Sequence, residues 1–359
     1  MENKHNIGDL YQMQSLPLSA KIRMTQQRIN GWYDYFDGDV YVSFSGGKDS
    51  TVLVDIVTKM GLTDIPLVFV DTGLEYPEIR EFVKGYGDRV TWLRPKMNFK
   101  QVIEKYGYPM ISKEVSQTIE EIRSYKKTHD GNPEGYYRWK KLNGEAIDKK
   151  TGKPSQYNIP QWKFLIDSPF DISHKCCGVM KKNPAKGYEK ETRRHPITAQ
   201  MACESRLRLF EWIKHGCNAF EKGRAISNPM SFWTEQDVLL YIKQNNLPIC
   251  SVYGEVIEDL EGTEEVEGQM TMSDIAGWED QEMFDAERRP LKTTGCDRTG
   301  CMFCGFGCHR DKGEGRFERM KRTHPKQYDY IMRPWEEGGL NYKEIIDWIN
   351  EHGNMNIKY

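Results

Sequence analysis

The chain has 359 residues, and its 51 lysines and arginines against 53 aspartates and glutamates leave a formal charge of −2. That balance excludes a partner selected by net charge alone, and the length suits about two domains, or one enlarged α/β domain with insertions, around a sizeable core. With 38% hydrophobic and 12% aromatic residues the composition is globular rather than disordered. No run approaches the roughly 18 apolar residues that span a bilayer, and MENKHNIGDLYQMQ lacks an apolar signal core, so a cytoplasmic protein with no membrane association is expected.

Residues 17–36 carry apolar positions near helical spacing behind Pro17 and Ser19, which predicts an amphipathic helix closing an N-terminal segment, 1–38. DVYVSF (39–44) is a β-rich run that stops at SGGKDS, and TVLVDIVTKM has the length and pattern of a helix: strand, glycine loop, helix. Further strands are predicted at 65–70 and 89–95, with a helix opening at Pro77 between them. A strand over 195–205 then runs into RLRLFEWIKHG, and Thr234 with Asp237 three residues on caps another helix. Strands alternating with helices predict an α/β fold with a doubly wound parallel sheet, whose ligands bind beyond the carboxyl ends of the strands, over residues 39–250.

Two stretches break the pattern. Residues 125–162 mix Lys126, Lys127, Arg138, Lys140, Lys141, Lys149, Lys150 and Lys153 with Tyr136, Tyr137, Trp139, Tyr157 and Trp162, a basic and aromatic insertion. Within 251–290 the bias turns acidic, with Glu258, Asp259, Glu261, Glu264, Glu265 and Glu267. The small net charge therefore hides two opposed insertions, and nucleic acid stays open as a partner because aromatics stack bases and lysines pair phosphates. Residues 291–359 carry GCDRTGCMFCGFGCHRD from Gly295 and continue into helical patterns at 315–332 and 342–353.

In the loop, Gly46 and Gly47 let backbone amides approach phosphate oxygens at a helix N-terminus, while Ser43, Ser45, Lys48, Ser50 and Thr51 add donors. The spacing G-x-x-x-x-G-K-S/T is absent, which disfavours ordinary kinase or GTPase chemistry. Asp49 beside the loop and Asp71 with Thr72 at a strand end are oxygen ligands for Mg²⁺ or contacts to a nucleoside; for Asp71 the plain alternative is a helix cap. Glu204 and Arg208, four apart, make at least an ordinary helix ion pair.

SGGKDS behind a strand resembles the loop of the PP-loop ATP pyrophosphatase superfamily, whose members cleave ATP between the α and β phosphates and adenylylate a substrate. Within it, DTGLEYPEI (71–79), KCCGVMKKNP (175–184), ESRLR (204–208) and PMSFWTEQDVLLYI (229–242) make the chain similar to the phosphoadenosine phosphosulfate reductase family. The resemblance places Glu204 and Arg208, and similarly Lys181 and Lys182, beside nucleotide phosphates. An intact SGGKDS matches the members that hydrolyse ATP, and the tail INEHGNMNIKY lacks the E-C-G-L-H cysteine of the reductases.

Nine cysteines, an odd number in a long chain, favour metal or redox chemistry over a disulfide lattice. Adjacent Cys176 and Cys177 do not readily form a disulfide with each other, but both can ligate one iron–sulfur cluster. By resemblance to adenylyl-sulfate reductases, Cys301 and Cys304 complete a 4Fe-4S set; the rival is a local zinc site from Cys296, Cys301, Cys304, Cys308 and His309. Cys203, Cys217 and Cys250 read as core. The leading expectation is an Mg²⁺–ATP pyrophosphatase or adenylyltransferase in sulfur transfer, with Lys48 and Asp49 in the chemistry and a sulfur donor or thiol reductant protein as partner. The alternatives are an adenylyl- or phosphoadenylyl-sulfate reductase using Cys308, and a tRNA- or DNA-binding regulator; homo-oligomerisation is left open.

Overall fold

A computed structural model describes residues 3–221, 223–259 and 289–359. Ten short strands are described: β1 (Val40–Ser43), β2 (Leu67–Val70), β3 (Val90–Leu93), β4 (Met110–Ile111), β5 (His195–Ile197), β6 (Asn218–Ala219), β7 (Ile226–Ser227), β8 (Val256–Glu258), β9 (Leu291–Thr293) and β10 (Gly305–Phe306). Contacts group the residues into two compact units, each discontinuous in sequence. The first comprises 1–71, 75–93 and 185–299; the second comprises 72–74, 94–184 and 300–359.

The first unit holds a six-stranded sheet in the order β3-β2-β1-β5-β7-β6, parallel throughout except for the antiparallel edge pair β6–β7. Strand order reverses between β1 and β5, so the topological switch point, where doubly wound sheets bind ligands, lies at the carboxyl end of β1. Val40, Tyr41 and Val42 are all buried, as in a central parallel strand covered on both faces. Helix Lys48–Lys59 contributes Val52, Leu53, Ile56 and Val57 to a core that includes Trp32, Phe44, Phe69 and Trp233.

Helix Leu18–Tyr35 is tied to this core by a buried ion pair in which Lys21 Nζ donates to both carboxylate oxygens of Asp237, at 2.7 and 2.8 Å. Asp237 also completes the capping box of helix Glu235–Asn245 with Thr234. Removing one partner leaves an uncompensated buried charge, so Lys21→Met is expected to lower the unfolding free energy by about 3–5 kcal/mol. Urea unfolding checks this, and a loss below about 1 kcal/mol would mean the pair is structurally idle.

In the second unit β4 and β10 pair in parallel, Met110 with Gly305 and Ile111 with Phe306. A Cβ on Gly305 would lie 2.2 Å from Met110 Sδ and 2.8 Å from the Pro109 carbonyl, so only glycine fits between the two cysteine-bearing turns and β4. Arg316 binds the Cys304 and Phe306 carbonyls at 3.1 and 2.8 Å, and Tyr342 Oη donates to the Phe303 carbonyl at 2.7 Å.

Two predicted elements are shorter than expected. The strand at 195–205 ends at Ile197, and a 3-10 turn, Ala202–Glu204, precedes helix Arg206–His215. The helix at 315–332 breaks into Arg316–Thr323 and Pro325–Met332, because Pro325 has no N–H to continue it and biases His324 away from helical dihedrals. In the basic insertion the aromatics largely serve each other: Tyr125 stacks on Tyr136 at 4.4 Å, and Lys126 and Lys163 sit over Trp139. Arg138 pairs with Glu121 and Lys141 with Glu114, while Tyr137 and Tyr157 stay exposed. Of the acidic stretch, Glu258 and Asp259 pair with Lys243 and Lys292, whereas Glu261, Glu264, Glu265 and Glu267 lie outside the described residues. No helix among the described residues is long and apolar enough to cross a membrane.

Candidate nucleotide site and cysteine cluster

The glycine loop follows β1 at the switch point. Ser43 ends the strand, Gly46 adopts φ +69°, and Gly47 caps helix Lys48–Lys59. A Cβ at Gly46 would meet Val83 Cγ2 at 2.7 Å and Ile79 Cγ2 at 2.9 Å, so both its left-handed backbone and its packing demand glycine. The loop is laced internally: the Ser45 N–H donates to Ser50 Oγ at 3.2 Å, the Gly47 N–H to Ser45 Oγ at 3.3 Å, and Ser50 and Thr51 hydroxyls donate back to the Gly47 carbonyl. These bonds hold the turn open around the helix N-terminus.

Lys48 is only 2% exposed. Its Nζ donates to the Asp297 carbonyl at 2.6 Å and lies 3.0 Å from the Glu235 carboxylate, and its backbone N–H donates to Tyr253 Oη at 3.2 Å. Burial pushes the Tyr253 phenol up to about 12, opposed by its bonds to Thr299 and to the Lys48 amide. Asp49 Oδ1 is buried without a hydrogen-bond partner among the described residues. Burial raises the Asp49 carboxyl above the usual range, against the pull of Lys48, Arg298 and Arg208.

Glu204 joins this group by pairing with both Arg208 and Arg298, and its Oε2 accepts from the Met201 N–H at 2.9 Å. Burial, then the neighbouring Arg298, lowers the Arg208 guanidinium. Arg208 also lines a cavity of about 160 Å³ beyond β5 and β7, with Met201, Trp212, Asn228 and Ser231. The first unit thus gathers Ser43, Ser45, Gly46, Gly47, Lys48, Asp49, Ser50, Thr51, Glu204 and Arg208. Asp71, at the end of β2, is not a helix cap; its buried carboxylate accepts from Arg80 at 2.8 Å. Thr72 belongs to the second unit, where its hydroxyl accepts from the Leu74 N–H.

Sequence reasoning missed Glu235, Tyr253, Asp297 and Arg298 as members of this group. Glu235 stands in the capping sequence TEQD, a visible signal, but Tyr253 and Asp297 act through a hydroxyl and a backbone carbonyl that no periodicity reveals. A carboxylate oxygen buried without a hydrogen bond, with only a 3.8 Å ion pair to Lys48, is costly at neutral pH. Asp49→Asn is therefore expected to raise the melting temperature of the ligand-free chain at pH 7–8. Because the folded carboxyl pKa is raised, this advantage should shrink as pH falls and the wild-type carboxyl takes up its proton. Thermal melts across pH check it; equal melting of the two at neutral pH would contradict it.

The second unit contains Cys176, Cys177, Cys301, Cys304 and Cys308. None of the nine cysteines is disulfide-bonded. Burial pushes the Cys176 thiol up, and Cys177, Cys301 and Cys304 push it further, so four sulfurs lie within electrostatic reach of one another. Burial and then Cys177 act likewise on Cys304. Four thiols converging from two segments, Cys176 buried and Cys177, Cys301 and Cys304 half-buried, suit a cluster's donor set. No three Cys, His, Asp or Glu side chains among the described residues are gathered closely enough to hold a single metal ion. Cys296, the zinc reading's fifth partner, lies in the first unit, where its thiol reaches Tyr76 Oη at 3.9 Å. Cys308 is buried in a 3-10 turn, and burial pushes its thiol up to about 12.

A family model described as phosphoadenosine phosphosulfate reductase domain matches residues 39–133 and 140–305. Adenosine 5'-phosphosulfate reductase of Staphylococcus epidermidis is 23% identical over 221 residues, 60% of this chain and 65% of the reductase. Two uncharacterized proteins of Methanocaldococcus jannaschii are each 38% identical over 85 and 74 residues; these stretches take in 23% and 20% of this chain and 18% of each relative. The chain thus spans under a fifth of those two proteins. A phosphoadenylyl-sulfate reductase structure from Candida auris aligns over 63% of this chain and 82% of its own at 16% identity, with a TM-score of 0.34. The matched blocks take in the glycine loop, the paired cysteines, Glu204 with Arg208, and Cys301 with Cys304, and they cover most of the sequence. The chain belongs to the phosphoadenosine phosphosulfate reductase domain family.

Proposed function

We propose that the chain is a cytoplasmic enzyme that adenylylates an acceptor in a sulfur-transfer reaction, using Mg²⁺–ATP and carrying a 4Fe-4S cluster. The observation that carries the reading is the loop itself: an open turn at a switch point, with a buried lysine whose ammonium faces a carboxylate. In this reading the phosphates of ATP take the place of Glu235 beside Lys48. The acceptor's nucleophile attacks the α-phosphorus, the bond to the β-phosphate bridge oxygen breaks, and pyrophosphate leaves with the displaced electron pair. Lys48 and the loop amides would neutralise charge on the departing phosphates, and Arg208 with Arg298 would hold the α-phosphate region. Asp49 Oδ1, which has no hydrogen bond and only a long ion pair to Lys48, fits a cation ligand; bound Mg²⁺ would supply charge neutralisation to the phosphates.

Cys176, Cys177, Cys301 and Cys304 would hold the cluster, which supplies electron-transfer or electrostatic chemistry when bound. Four free thiols within electrostatic reach of one another fit the donor set, and a reducing compartment suits nine unoxidised cysteines. The test is anaerobic protein incubated with ATP labelled at the α-phosphate and Mg²⁺, scored for AMP and pyrophosphate with and without sulfur-bearing acceptors. Absence of both products with every acceptor would sink the reading.

The relative named as an adenosine 5'-phosphosulfate reductase motivates a second reading, release of sulfite from a sulfonucleotide. Its weakness is the thiol: Cys308, 4% exposed and held protonated by burial, is not poised as a nucleophile, so a partner thiol would have to act. Sulfite formation from adenylyl sulfate with a dithiol reductant, and no pyrophosphate from ATP, would decide for it.

A further inference from the structure

A second cavity, of about 400 Å³, opens within the second unit and is lined by Tyr106, Lys113, His174, Lys175, Cys177 and Lys182, with Gly178, Val179 and Asn183. No acidic residue lines it. Glu120, from outside the lining, pairs with Lys175 and accepts or shares a proton with His174 Nδ1 at 3.1 Å, so one of the three ammonium charges is compensated. Lys113 and Lys182 have no ion pair with a carboxylate among the described residues. Two uncompensated cations facing one cavity repel each other, and an anion between them removes that repulsion.

The backbone adds to the same field. The chain turns helical at Cys176, and the Val179 N–H makes the first helical bond, to the Lys175 carbonyl at 3.0 Å. The amides of Cys176, Cys177 and Gly178 precede it and lack helical acceptors, which leaves partial positive charge at the cavity wall beside Lys182. Lysines present compact point charges with several donors, a match for the spread charge of a tetrahedral or pyramidal oxyanion. The volume lies in the range of small-molecule sites.

We propose that this cavity is an oxyanion site: it binds a sulfur or phosphorus oxyanion between Lys113 and Lys182, next to Cys177, as an anionic co-substrate distinct from the nucleotide at the glycine loop. The inference rests on the sulfur-transfer reading only for the identity of the anion; the cationic cavity stands without it. Lys113 and Lys182 are binding residues of this cavity, an assignment that for Lys182 replaces the nucleotide-phosphate contact implied by the family resemblance.

Calorimetric titration of the full anaerobic chain with sulfite, thiosulfate and inorganic phosphate, at low ionic strength, tests it. One anion per chain is expected to bind. The double variant Lys113→Gln/Lys182→Gln should weaken it at least tenfold, while Lys182→Arg retains it, and the single variant Lys113→Gln leaves the affinity for Mg²⁺–ATP unchanged. Tighter sulfite or thiosulfate assigns the site to a sulfur oxyanion, and equal phosphate assigns it to phosphate-bearing ligands; either upholds the cavity as an oxyanion site. Equal binding by wild type and double variant, no binding of any of the three anions at millimolar concentration, or loss of binding in Lys48→Ala instead would overturn it. Absence of pyrophosphate and sulfite production with intact anion binding would count against the catalytic reading alone.

Discussion

Lys48→Ala is expected to lower turnover about 10²- to 10³-fold, with a much smaller change in the KM for ATP. The magnitude is that of removing one preorganised charge from where negative charge develops in a transition state. Lys48 is preorganised in that sense, since its ammonium is fixed by the Asp297 carbonyl at 2.6 Å and by Glu235 at 3.0 Å and is shielded from water. Little reorganisation is needed when a phosphate oxygen replaces the carboxylate. Arginine is a poor substitute, because a planar fork does not fit a pocket shaped around a point charge. Glu235→Gln supplies the complementary test. If the carboxylate competes with phosphate for the ammonium, its neutralisation should tighten Mg²⁺–ATP severalfold and leave turnover within a fewfold of wild type. Wild-type turnover in Lys48→Ala, measured as pyrophosphate release, would remove the loop from the chemistry.

What could be read from the sequence follows from which interactions are local. The strand–loop–helix at 40–59 is encoded within twenty residues by a buried apolar run, adjacent glycines and helical periodicity, and the Thr234–Asp237 capping box is encoded within four. The doubly wound order needs the crossover from β1 to β5, 155 residues apart by their first positions, 40 and 195, yet alternation alone predicted it because parallel strands demand such connections. Two kinds of feature were hidden. Lys21 meeting Asp237 and Lys48 meeting Asp297 are pairings of distant residues, and nothing in either neighbourhood marks them. The grouping of 94–184 with 300–359 is likewise non-local: composition marks the cysteine run as a separate C-terminal segment, whereas β10 pairs with β4 and brings it beside Cys176 and Cys177. Aromatic residues in the basic insertion are a different case. Their composition suits base stacking, but Tyr125 and Tyr136 are already spent on each other, leaving Tyr137 and Tyr157 as the exposed rings.

Cys176→Ser is expected to abolish the cluster, taking iron from about four per chain to near zero and removing the broad visible absorption of the anaerobic protein. The same outcome is expected for Cys177→Ser, Cys301→Ser and Cys304→Ser, whereas Cys296→Ser and Cys308→Ser should keep their iron. The pattern separates the two ligand sets: a zinc site made from Cys296, Cys301, Cys304, Cys308 and His309 would ignore Cys176→Ser and lose metal in Cys296→Ser. The first pattern matches the grouping in which Cys176 feels Cys177, Cys301 and Cys304. The electrostatics also set a pH dependence. Burial and the neighbouring sulfurs raise the Cys176 pKa above that of an ordinary thiol, so the metal-free chain holds its protons through neutral pH. Metal must displace them, so loading should release protons and weaken as pH falls. Alkylation of Cys176 in the metal-free folded chain should be slow at pH 8 and accelerate only in more alkaline solution. Because four thiols from two distant segments then share one cofactor, its binding free energy becomes folding free energy for the second unit. Cys176→Ser should therefore lower the melting temperature of anaerobically purified protein yet change that of metal-free protein little. Equal melting shifts in both states would assign Cys176 to packing rather than to ligation.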